Sequence, residues 1–236
     1  MNITIKKPYL ISEAGKRIKN ENSIYPDNEY VSANNRLFLI CDGGGSSKGK
    51  TASSIASDAI RTYFNTFLDD EKKIDPQFIE KALQYTEIQF DEYIQKNPSA
   101  KGMSTTLSLL YFAPHGVYLT YAGNSRIYQF RNGEIIFMTK DNFSKISHLQ
   151  VEADIITIFD VLPDDEFFMC NNGVTEVWSD DDLCKLFSSN LSSEAKMSAI
   201  TELCRSNAKD NYSACLIPVQ DIKKINFLKQ MLLYSI

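Results

Sequence analysis

The chain has 236 residues, 43% of them hydrophobic and 23% charged, which are ordinary values for a soluble globular protein. That composition excludes wholesale disorder, collagen-like repeats and a disulfide scaffold, and a net charge of −5 argues against a dedicated nucleic-acid binder. Five widely spaced cysteines with no CxxC pair argue against zinc ribbons and thioredoxin chemistry, and are expected as reduced, buried thiols. The start of the chain lacks the apolar stretch of a signal peptide, and no apolar run reaches the roughly 18 residues of a membrane span. A cytoplasmic protein without a membrane partner is the expectation.

Taken in order, Ile3-Thr4-Ile5 alternates as a strand and Tyr9-Leu10-Ile11 extends the pairing. The apolar run 36–41 reads as a buried strand that stops at a glycine turn, Asp42-Gly43-Gly44-Gly45. A helix follows from about Lys50, with Ala52, Ile55, Ala56, Ala59, Tyr63, Phe64 and Phe67 at helical spacing. Asp75-Pro76 caps a second helix, whose buried stripe is Ile79, Leu83, Phe90 and Ile94. Beyond Ser104 the period becomes that of strands. Residues 105–112 pair with 117–122, and 126–130 with 134–138 across Asn132-Gly133, the strongest short hairpin signal. Residues 155–159 and 167–170 read as two strands joined by a polar turn. Helices are predicted over 180–187 and 193–207, a last buried strand over 213–219, and an amphipathic helix over 221–236. Successive hairpins imply antiparallel sheets, so residues 1–236 are expected to form a single α/β domain with a helical pair inserted between strands.

Residues 44–51, from Gly44 to Thr51, match the phosphate-loop pattern GxxxxGK[ST] between a strand and a helix, and Asp160 would serve as its second acid. Such nucleotide-binding folds need a mostly parallel sheet, which the hairpins oppose, so a P-loop nucleotide binder is a remote alternative.

Several separated segments carry a different reading. They are Arg17 to Asn22, RIKNEN; Leu37 to Gly43, LFLICDG; Gly102 to Leu107, GMSTTL; Tyr121 to Arg126, YAGNSR; Phe168 to Thr175, FMCNNGVT; and Lys209 to Ser213, KDNYS. In this order they resemble R-x-x-N-E-D, the strand with D-G, G-M-x-T-T, G-D-S-R, C-S-D-G-L-T and D-N-[IY]-[ST] of the metal-dependent protein phosphatases (the PPM, or protein phosphatase 2C-like, family). The similarity runs from about Ile11 to Val219. It implies a four-layer αββα sandwich, two antiparallel sheets flanked by helices. It also implies a binuclear Mg²⁺ or Mn²⁺ site acting on phosphoserine or phosphothreonine. Clustered carboxylates would hold two such cations, lower the pKa of water and offset phosphate charge.

Carried over by position, the resemblance implies metal ligation by Asp42, the Gly43 carbonyl and Asp210, with Glu21 holding metal-bound water. Arg17 falls at the phosphate-gripping arginine, a task suited to a planar guanidinium. Catalytic roles would then rest on Arg17, Asp42 and Asp210. Three family aspartates are replaced by Asn22, Asn124 and Asn172. At Asn172, a direct ligand position, an amide oxygen can coordinate a metal but adds no charge. The stretch after Asp141 is also short, so the family's substrate flap is reduced. Mg²⁺ or Mn²⁺ is therefore expected to bind weakly or not at all. The expected function is a pseudophosphatase that binds a protein partner or phosphoprotein, with a weak Mn/Mg-dependent phosphoserine/phosphothreonine phosphatase as the alternative. Arg126 is expected as a structural ion-pair partner, Cys41 as a buried inert thiol, and His115 and His148 as solvated.

Overall fold

The computed structural model describes residues 2–44, 48–68, 74–114, 116–142, 144–147 and 153–223. The strands are β1 (Asn2–Ile5), β2 (Tyr9–Glu13), β3 (Asn22–Tyr25), β4 (Leu37–Gly44), β5 (Ser104–Thr105) and β6 (Leu107–Ala113). They continue with β7 (Gly116–Ala122), β8 (Arg126–Arg131), β9 (Glu134–Met138), β10 (Ile155–Ile158), β11 (Glu166–Cys170) and β12 (Tyr212–Lys223). The helices are α1 (Gly49–Phe67), α2 (Pro76–Lys96), α3 (Asn172–Thr175), α4 (Asp180–Phe187) and α5 (Ser193–Asn207).

Two six-stranded sheets form. One runs β10-β7-β6-β4-β3 with β5 on β4; the other runs β1-β12-β11-β8-β9 with β2 also on β12. Every strand pairing among the described residues is antiparallel. Alternation along each strand sorts the side chains into three apolar layers. Phe38, Ile40, Leu110, Phe112, Phe167, Met169, Cys215 and Ile217 fill the space between the sheets. There Phe112 meets Phe38 and Phe167 edge-on, with ring centroids 6.0 and 5.3 Å apart. Leu37, Leu39 and Cys41 face the other way, onto α1 and α2, through Ala56, Ile60, Ile79 and Phe90. On the opposite side Tyr128, Phe168 and Leu216 pack on α4 and α5 through Leu183, Phe187 and Ile200. The result is the four-layer αββα sandwich.

Local signals act as the sequence reading expects. The Asp75 carboxylate accepts the Phe78 amide at the start of α2, and Ser179 and Ser192 cap α4 and α5. Asn132 and Gly133 have φ of 52° and 81°, the left-handed pair that a tight two-residue hairpin demands. Cys41 is fully buried and its thiol is pushed up to about 12 by burial, which leaves it inert.

Some expectations are corrected. The strand at 36–41 does not stop at a glycine turn; β4 continues through Gly44, because Gly43 and Gly44 pair with Thr105 and Ser104. The two strands expected at 155–159 and 167–170 form, and the polar turn between them crosses from one sheet to the other, since β10 pairs with β7 and β11 lies between β8 and β12. Residues 221–223 belong to β12 rather than to a helix, since Ile222 and Lys223 pair with Ile3 and Asn2; the rest of that expected helix lies outside the described residues. His115 and His148 lie outside them as well. Among the described residues no helix is long and apolar enough to cross a membrane.

Candidate active site

The same alternation that builds the inter-sheet layer also aims the site. After Phe38 and Ile40, the next inward position on β4 is Asp42; after Phe167 and Met169, the next along β11 is Asn171. Reading β12 backwards from Cys215 gives Ser213 and then Asn211, and on β3 the residue paired with Asp42 is Asn22. Where the apolar filling ends, these strands therefore present polar groups at one mouth of the sandwich.

Asp42 is fixed through its backbone and its carboxylate. Its amide donates to Thr106 Oγ1 (3.1 Å), its carbonyl accepts the Thr106 amide (2.9 Å), and Thr106 Oγ1 meets Ser125 Oγ at 3.0 Å. The side-chain nitrogen of Asn171 donates to Asp42 Oδ2 (2.7 Å) and to the Asn211 carbonyl (2.8 Å), while its oxygen accepts the Ser213 amide (2.8 Å). This one amide thus ties the ends of both sheets together. Burial pushes the Asp42 carboxyl up to about 6, and the charges of Asp210 and Glu21 push the same way against the Asn171 hydrogen bond.

The loop between β2 and β3 is held over the mouth by Asn211. Its side-chain oxygen accepts the Glu21 amide (2.9 Å), and its nitrogen donates to the carbonyls of Ala14 (2.9 Å) and Lys19 (2.8 Å). Arg17 is carried on that loop, and its guanidinium grips Asp210 with two bonds, Nε to Oδ1 at 3.0 Å and the terminal nitrogen to Oδ2 at 2.9 Å. Burial raises the Asp210 pKa, but the Arg17 hydrogen bonds, the Asn211 amide and the Arg17 charge outweigh it and hold the carboxyl below its ordinary value.

Arg17, Glu21, Asp42, Gly43, Asn124, Asn172 and Asp210 all line one cavity of about 1050 Å³. Gly43 is required by close approach: a Cβ there would lie 2.0 Å from the Gly49 carbonyl at the start of α1. Asn22 is not part of this lining. It is 2% exposed, it donates to Ser213 Oγ at 2.9 Å, and its buried side-chain oxygen has no hydrogen-bond partner. Two residues beyond the sequence-derived set prove central to the geometry, Asn171 and Asn211. Asn211 is the second letter of the matched D-N-[IY]-[ST] element, whereas the only sequence signal for Asn171 is its place beside Asn172.

The charges around the cavity balance: Lys16, Arg17, Lys19 and Lys145 face Glu21, Asp42, Asp141 and Asp210. Asp141 is already engaged by Arg126, which also reaches Asp180 and is a structural partner as expected. Among the described residues no three His, Cys, Asp or Glu side chains converge closely enough to hold a metal ion. The donors present therefore do not fit a two-metal centre: Asp210 already carries a guanidinium on both oxygens, Asp42 carries an amide, and Asn124 and Asn172 bring no charge.

The phosphate-loop reading is also corrected. Lys50 Nζ donates to the Asn22 carbonyl at 2.5 Å and to Ser23 Oγ at 3.1 Å, so it secures β3 rather than a nucleotide. Asp160 pairs with Arg131, and β4 lies between antiparallel neighbours. Residues 45–47 of the pattern lie outside the described residues.

No protein-family model matches the chain. The serine/threonine protein phosphatase PstP of Mycobacterium tuberculosis is 23% identical over 233 residues, covering 87% of this chain and 43% of PstP. The chain thus spans less than half the length of that curated relative. The crystal structure of M. tuberculosis PstP/Ppp covers 92% of this chain and 99% of its own, at 21% identity and a TM-score of 0.77. The PstP catalytic domain in complex with two manganese ions matches at 20% identity and 0.77, covering 93% of this chain and 100% of its own. Stp1 of Staphylococcus aureus matches at 18% identity and 0.78, covering 93% of this chain and 98% of its own. The chain is thus similar along most of its length to a serine/threonine protein phosphatase and shares the αββα sandwich of the solved phosphatase structures.

Proposed function

We propose that this chain is a pseudophosphatase, a PPM-type domain that uses its cavity to bind a protein partner bearing a phosphorylated or acidic segment without hydrolysing it. The observation that carries the reading is that its two principal carboxylates are already satisfied from within the chain, Asp210 by Arg17 and Asp42 by Asn171. Catalysis in this family needs divalent cations to generate a nucleophile from water and to offset phosphate charge. Here the acidic groups that would hold such ions are balanced by Lys16, Arg17, Lys19 and Lys145, and the amides of Asn124 and Asn172 stand at the cavity wall. Arg17 and the three lysines remain suited to receive an anionic segment. All five cysteines are free thiols, which supports a cytoplasmic setting.

A second reading has its own support. Asp42, Asp210 and Glu21 still line the same cavity, and the PstP relative has been crystallised with two manganese ions. On that reading the chain is a weak Mn/Mg-dependent phosphoserine/phosphothreonine phosphatase, with Mn²⁺ or Mg²⁺ held by Asp42, the Gly43 carbonyl and Asp210. Calorimetry with Mn²⁺ and Mg²⁺ beside a phosphopeptide turnover assay separates the two. The binding reading predicts weak ion binding and no phosphate release. Two tight ion sites, with turnover abolished by Asp42→Ala, would establish the enzyme instead.

A further inference from the structure

A second cavity, of about 620 Å³, runs along β3, the last strand of its sheet, and shares no lining residue with the cavity at the mouth. Its walls are β3, the loop that follows that strand, and the face of α1 that carries Ser54, Ser57 and Arg61. Hydroxyl and amide side chains dominate the lining, among them Ser12, Asn20, Asn22, Asn28, Asn35 and Ser54. The charged groups balance, Lys50 and Arg61 against Asp27 and Asp58, and Arg61 is paired with Asp58 at 2.9 Å. Such a lining has no net charge with which to draw an ion.

One wall of this cavity carries hydrogen bonds that the chain itself does not complete. Asn20 Nδ2 donates to Ser12 Oγ at 2.9 Å, the hydroxyls of Ser12 and Ser213 meet at 2.8 Å, and Asn22 Nδ2 donates to Ser213 Oγ at 2.9 Å. The two hydroxyls bring two hydrogens, and only one is used between them. Asn22 is 2% exposed, and its buried oxygen has no hydrogen-bond partner. The cluster therefore has a donor and an acceptor to spare, and a hydroxyl group answers both. Turning the Asn22 amide over exchanges the unmet oxygen for an unmet nitrogen, and a hydroxyl serves that arrangement too. A single water has the same chemistry, but the cavity is far larger than one water and of the size that holds small ligands. At its rim Tyr30 presents a ring that is 76% exposed, a flat apolar surface beside the polar wall.

The geometry points to this cavity as a second binding site, for a neutral carbohydrate. Ring hydroxyls complete the cluster of Ser12, Ser213 and Asn22, and the C–H face of the sugar packs on Tyr30. The site is separate from the mouth of the sandwich, so it stands or falls independently of whether that mouth binds or hydrolyses a phosphorylated partner.

The test is an NMR titration of the isotope-labelled full chain with maltose, with glycerol as the control solute. Maltose is expected to shift the Asn22 side-chain amide and the Tyr30 backbone amide saturably, while glycerol at the same hydroxyl concentration leaves them nearly unmoved. Tyr30→Ala, at an exposed position, is expected to keep the wild-type urea midpoint and to weaken maltose binding severalfold. No saturable shift at tens of millimolar maltose would overturn the inference. So would equal shifts from glycerol, which would mean that any small hydroxyl completes the cluster, or unchanged maltose affinity in Tyr30→Ala.

Discussion

An arginine–carboxylate pair stands at each end of β11, and the two do opposite work. Before the strand, Asp165 is fully buried and satisfied by its neighbours: Arg131 binds both its oxygens, and Gln129 and the Leu162 amide donate to Oδ2, all within 3.0 Å. Past the other end of the strand, beyond Asn171, Asp210 holds Arg17 in a pair that faces solvent. The chemistry of the two pairs is the same; burial and the number of additional donors differ. The first is a structural joint between the β10–β11 crossover and β8, because no outside ligand can compete for Asp165. The second is exchangeable, which is what a recognition site requires.

The largest expected effect breaks the structural joint. Asp165→Ala strips Arg131, Gln129 and the Leu162 amide of their common acceptor and should cost about 3 kcal/mol or more in urea unfolding. Phosphate binding should change little in the fraction that remains folded. Next comes Asn171→Ala, which leaves the buried Ser213 amide and Asn211 carbonyl without their partners and should cost about 2 kcal/mol. It should also loosen Asp42, so its chemical environment by NMR should shift more than that of Asp210. Arg17→Gln should leave the urea midpoint nearly unchanged, as loss of an exposed pair does, yet remove most of the affinity for a phosphopeptide. A stability loss at Arg17 matching that at Asp165 would erase the contrast between the two pairs.

The smallest effect is a pH dependence away from both. Glu13 is lowered from the usual 4.5, chiefly by its hydrogen bond from Arg205, against some burial and with help from the Tyr212 hydroxyl and the Arg205 charge. A carboxyl whose folded pKa lies below its unfolded one adds stability above the unfolded value and loses it as pH falls through the folded one. Glu13→Gln should therefore destabilise slightly at pH 7 and converge with wild type in acid. A constant difference between the two proteins down to pH 3 would contradict this assignment.

Much of the sandwich is legible locally. The Asn132-Gly133 turn, the Asp75-Pro76 cap and the alternation of 105–122 each specify their element from neighbouring residues alone. What local pattern could not supply is which sheet a strand joins. The strands 155–158 and 166–170 follow one another across a polar turn, but their partners are β7 on one side and β8 and β12 on the other. The two-residue strand β5 is too short for any periodicity and exists because β4 runs on past Asp42. At the site, family resemblance brought Arg17, Glu21, Asp42, Asn172 and Asp210 to attention, and they do line one cavity. It could not separate Asn22, which lies beneath the cavity against Ser213, from Asn124 and Asn172, which face it. Nor could it give the roles of Asn171 and of Asn211, a matched motif letter, which lie in hydrogen bonds to residues more than a hundred positions away.

That separation defines the most direct test. Two carboxylates, at 124 and 172, would return negative charge to the cavity wall without burying one at position 22. The measurement is phosphate release from a phosphoserine peptide in saturating Mn²⁺, comparing wild type with the double variant Asn124→Asp, Asn172→Asp. The account predicts no release above the protein-free rate for wild type, with intact peptide binding, and measurable turnover in the double variant. Wild-type turnover abolished by Asp42→Ala would contradict it.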